Sequence, residues 1–150
     1  MRKLILFTFL AIATSFAQQS EAPKDGKKGK APASTAKVLT VAEFDALLAS
    51  PEKVLVIDVR RPDEVSTIGG FPVYLSIQAG DLEKHLAEIP KDRLLITVSN
   101  HAARGGKAAD LLASKGFKVA GTIGAETYAT DGGKLAVKIA VPPPSANDKK

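Results

Sequence analysis

A chain of 150 residues has room for one domain of ordinary size, and 45% hydrophobic with 25% charged residues is the balance of a soluble globular protein. The net charge of +5 hints at nucleic acid only until it is located: 13 basic and 13 acidic residues lie in 37–141, so the excess sits on the ends. A nucleic-acid binder needs a basic face on its folded part, so that partner class is excluded. With no cysteine in the chain, packing alone must hold the fold.

In chain order, Arg2 and Lys3 precede an apolar run from Leu4 to Ala13, and Ser15-Phe16-Ala17 supplies small residues where a signal peptidase reads. This predicts a signal peptide over 1–17 and an exported protein, periplasmic or secreted. The run is about half the ~20 apolar residues a membrane span needs, so the mature protein is expected to have none. Residues 18–36 (QQSEAPKDGKKGKAPASTA) show no apolar periodicity and read as a disordered linker; 142–150, after a proline stop, read as a disordered tail. The folded domain is assigned to 37–141.

Within it, Thr40-Val41-Ala42-Glu43 is a capping box, followed at helical spacing by Phe44, Leu47 and Leu48. Val54 to Ile57 is an unbroken apolar run after Pro51, the pattern of a strand buried on both faces. Asp81 to Leu86 predicts a helix closed by Pro90, and Leu94 to Val98 a second buried strand. Lys107 to Lys115 reads as a helix with Ala108, Leu111 and Leu112 inward and Gly116 as its left-handed stop. Phe117 to Ala120 reads as a third strand. Alternating strands and short helices predict an α/β fold, a small parallel sheet covered by helices on both faces.

Ligands of such sheets bind beyond the carboxyl ends of the strands. Two segments leave those ends with unusual chemistry: Asp58-Val59-Arg60-Arg61-Pro62-Asp63-Glu64 and Ser99 to Gly105.

The segments VLVIDVRRPDEV, GGFPVYLSI, LLITVSNHAARGGKAADLLASKGF and GTIGAETYATDGGKL, in this order and spacing from about Val38 to Val137, resemble the rhodanese-like domain family. The resemblance implies a loop of the form Cys-x-x-Gly-x-Arg, whose cysteine carries sulfur as a persulfide. Aligning Arg104 with the family's arginine puts Ser99 at the cysteine, Ala102 where glycine is common and Gly105 where serine often follows. The usual Gly-His-Ile-Pro-Gly-Ala stands here as Gly69-Gly70-Phe71-Pro72-Val73-Tyr74, and Gly124-Ala125-Glu126-Thr127-Tyr128 replaces the usual Gly-Gly and aromatic.

A serine hydroxyl neither ionises in such a loop nor holds a sulfane sulfur, so sulfur transfer by the family's route is not expected. His101 is the nearest base to Ser99, but it lies two residues away in the same loop and no carboxylate is placed by sequence to orient it. Four residues separate Ser99 from Arg104, one fewer than in the related phosphatases. The expected function is therefore an inactive binding or scaffold module, its partner an unknown protein or a small anion. The alternative is a weak hydrolase of esters or phosphates using Ser99 and His101.

An anion-binding loop of Ser99, Asn100, His101, Ala102, Ala103, Arg104 and Gly105 can persist without its nucleophile, its small residues leaving the N–H groups open. Arg104 either adds a charged fork or pairs with Asp58 or Glu64 as a structural bridge. Asp58 and Arg60 are read as supports at the sheet end, and His101 and His85 as solvated. Two histidines and no cysteine offer little to zinc, so neither metal nor cofactor is expected.

Overall fold

The computed structural model describes residues 33–138. The predicted signal peptide, nearly all of the linker, residues 139–141 and the tail lie outside the described residues.

The expected architecture is present. Four strands, β1 (Val54–Asp58), β2 (Tyr74–Ser76), β3 (Leu94–Ser99) and β4 (Val119–Gly124), form one parallel sheet in the order β2-β1-β3-β4. Helices α1 (Val41–Leu48), α2 (Pro62–Ile68), α3 (Ala103–Ser114) and α4 (Ala125–Thr130) connect and cover them. On one face Phe44 and Leu48 of α1 and Tyr128 of α4 pack on Val54, Val56, Ile96 and Val98. On the other, Ala108 and Leu112 of α3 join Leu82 and Ile89 over Ile57 and Leu95. Central strands covered on both sides need apolar residues at every position, which is why β1 and β3 read as unbroken runs. No helix among the described residues is long and apolar enough to cross a membrane.

The predicted capping box forms: Thr40 Oγ1 accepts the Glu43 N–H at 3.3 Å and Glu43 Oε2 accepts the Thr40 N–H at 3.0 Å. Several boundaries differ from expectation. α3 begins at Ala103, four residues before Lys107, because the contacts of Gly105 and Gly106 offset their poor helix propensity. The third predicted strand starts at Val119 and runs to Gly124, since Phe117 belongs to the helix stop: its N–H reaches Leu112 O at 3.1 Å, with Gly116 at φ +83°. The helix expected over Asp81–Leu86 is a 3₁₀ segment, Leu82–Glu88. Apolar spacing locates such a turn without reporting which carbonyl each N–H chooses. Thr35, near the end of the predicted linker, donates twice to Asp110 of α3 through its N–H and its hydroxyl.

Candidate functional site

The carboxyl ends of β1 and β3 deliver the two predicted segments side by side, because these strands pair in register from Val54–Leu94 to Asp58–Val98. Their residues fall into three groups.

Asp58 and Arg60 form a fully buried pair, with Arg60 Nη2 2.6 Å from Asp58 Oδ2 and Nε 2.9 Å from Oδ1. Arg60 Nη2 also donates to Gly69 O at 2.8 Å, tying the end of α2 to the end of β1. The pair supports the sheet end and presents no charge to solvent.

The loop itself is compact. Ser99 is buried, and its Oγ accepts the Gly105 N–H at 3.1 Å. Ala102 turns the chain at φ +64°, and Ala102 O accepts the Gly106 N–H at 2.7 Å. The glycines allow close packing. A Cβ on Gly105 would stand 2.3 Å from Thr122 Oγ1, one on Gly106 2.7 Å from Ser34, and one on Gly124 2.8 Å from Asn100 O. α3 and the loop therefore sit directly on β4 and the incoming chain.

Ser99 and His101 do not meet as a pair. The histidine side chain is 71% exposed, its Nε2 3.1 Å from Glu126 Oε2, while Ser99 lies inside. Glu126 is the residue that sequence reasoning missed: it orients the imidazole, on the surface, because the Glu126 N–H bonds to Asn100 O at 3.1 Å at the end of β4. No hydrogen bond joins Ser99 to His101 among the described residues.

Of the two roles open to Arg104, the structure has the bridge, and its partner is Glu64. Arg104 Nη1 and Nη2 lie 2.9 and 2.5 Å from the two carboxylate oxygens, and Asn100 Nδ2 donates to the same group at 2.9 Å. The Arg104 guanidinium holds the Glu64 carboxyl well below its ordinary range, at about 2. Beside this bridge a groove of about 220 Å³ is lined by Ala79, Leu82, Ala108 and Leu111, with Arg104 and Lys107 among its walls. Among the described residues no three metal-ligating side chains converge.

No protein-family model and no curated protein matches the chain. Solved structures do. The chain is similar to Bacillus anthracis CoADR-RHD at 27% identity and a TM-score of 0.60, over 68% of this chain and 18% of that one. A Rhodopseudomonas palustris protein of unknown function, described as a possible tyrosine phosphatase, aligns at 25% identity and 0.57, over 67% and 84% of the two chains. A rhodanese-related protein from Thermoplasma volcanium aligns at 19% and 0.59, over 69% and 99%.

Proposed function

From the premise that the chain has the rhodanese-like fold with serine in place of the family's cysteine, we propose an exported, non-catalytic binding module. The observation that carries this reading is the state of Ser99. Sulfur transfer needs a thiolate to attack a sulfur donor and hold the transferred atom. The Ser99 hydroxyl is far too weak an acid for that part, and the chain has no thiol to replace it. Hydrolysis by Ser99 is supported less, since a nucleophile needs a base within hydrogen-bond reach and His101 is turned to solvent beside Glu126. Export rests on the leader, whose two cations, short apolar run and small residues match a cleaved signal. Binding is assigned to the loop end of the sheet, where Arg104 and Lys107 line a surface groove and the part-buried Asn100 stands beside Arg104 on Glu64.

Mature protein mixed with thiosulfate and cyanide should release thiocyanate no faster than buffer; turnover by the unmodified chain would overturn the reading. Mass spectrometry of the natively produced protein should find an N-terminus near Gln18. A pull-down from the envelope fraction then identifies what the module retains.

A further inference from the structure

Four donors converge on one carboxylate at the mouth of the loop. Glu64 Oε1 accepts Asn100 Nδ2 at 2.9 Å and Arg104 Nη2 at 2.5 Å. Its Oε2 accepts Arg104 Nη1 and the Arg61 N–H, both at 2.9 Å. That occupies the lone-pair directions a planar carboxylate offers. A guanidinium fork flanked by an amide and a main-chain N–H is also what recognition of an external carboxylate requires.

We propose that Arg104 and Asn100 form a carboxylate-recognition site that the chain keeps filled with its own Glu64, and that an acidic side chain of a partner protein engages the module by displacing it. This rests on the binding-module reading above and names the chemistry that its partner presents.

Three features make the site one for exchange rather than a sealed brace. Asn100 in the loop and Arg104 in the first turn of α3 lie on a different element from Glu64 in the short α2, and only the Arg61 N–H, at the cap of α2, belongs to Glu64's own helix. The Arg104 side chain is 41% exposed, in contrast to the wholly buried Arg60. The apolar groove of Ala79, Ala108 and Leu111 adjoins the fork, and Lys107 there has no acidic partner among the described residues. An incoming acid flanked by apolar side chains thus meets a second cation and a surface to cover.

A ligand tethered in the same chain competes at high effective concentration. A site open for only a fraction of the time weakens external binding by that fraction. The native protein should therefore ignore free carboxylates that a protein lacking Glu64 takes up.

The test is a titration of wild type and Glu64→Ala with sodium acetate, following backbone amides 100–106 and the Asn100 side-chain amide by NMR, against sodium chloride at equal ionic strength. The expected result is a saturable acetate shift in Glu64→Ala and binding at least about tenfold weaker in wild type, the ratio of a 1.4 kcal/mol bias. Thermal unfolding in the two salts gives a second readout. Acetate should raise the midpoint of Glu64→Ala over chloride, including for a variant that is only marginally folded, and leave that of wild type unchanged. Equal acetate binding by both proteins overturns the proposal, because Glu64 then does not occupy the site. So does a Glu64→Ala protein, folded or not, that responds identically to acetate and chloride. None of these results depends on whether the chain transfers sulfur, so the proposal and the non-catalytic reading fail separately.

Discussion

The Gly105 N–H points at the Ser99 hydroxyl oxygen, 3.1 Å away and shielded from water. A main-chain donor aimed at this atom is what stabilises a thiolate in a reactive cysteine site. The loop has thus kept a geometry suited to an anion on residue 99 while presenting a group that does not ionise.

Ser99→Cys should therefore carry a thiol with a pKa below the ordinary ~8.5 of a free cysteine. The pH profile of its alkylation by iodoacetamide checks this, together with a trace of thiocyanate formation that the parent chain lacks. A midpoint at or above the ordinary value would show that the loop no longer favours an anion there.

The buried Asp58–Arg60 pair predicts a strong asymmetry. Asp58→Ala leaves a guanidinium buried without its counter-charge and should cost about 3–5 kcal/mol in urea unfolding. Replacing both residues with apolar ones of similar volume, Asp58→Leu with Arg60→Met, should cost much less than that single change. Equal losses would mean that the pair stabilises through its charges.

Val73 opens β2 at φ +59°, a left-handed conformation that strains a β-branched residue. The strain is about 1–2 kcal/mol, partly offset in Val73→Gly by the freedom glycine has in the unfolded chain. Val73→Gly should stabilise the domain by about 1 kcal/mol and raise Tm by several degrees. A lower Tm would mean that the packing of the Val73 side chain outweighs its strain.

The depressed carboxyl of Glu64 makes a prediction about acid. A group ionised more readily in the folded state than its ordinary 4.5 contributes stability above that value and loses it as pH falls toward about 2. The stability gap between wild type and Glu64→Gln should be full at pH 7, narrow below about pH 4.5 and close near pH 2. A gap that stays constant across this range would separate the Arg104 bridge from stability.

Sequence pattern alone determined the α/β class, the two central strands, the α1 cap, the Gly116 stop and the two segments that meet beyond the sheet. Each depends on neighbours in sequence: an unbroken apolar run, a side chain reaching three residues along, a residue tolerant of positive φ. β2 was not legible because two half-buried residues and an exposed serine on an edge make no run, and Val73 just before them adopts a conformation its side chain disfavours. The start of α3 was legible only to within Arg104 to Lys107, because what offsets the poor helix propensity of Gly105 and Gly106 is their close fit against Thr122 and Ser34. Sequence could narrow the partner of Arg104 to Asp58 or Glu64, and only the tertiary structure decided between them. Asp58 lies in the sheet and is taken by Arg60 two residues on, whereas α2 swings Glu64 back over the loop, across 40 positions of chain. Ion pairs at that range are set by where two elements cross, and no local pattern records the crossing.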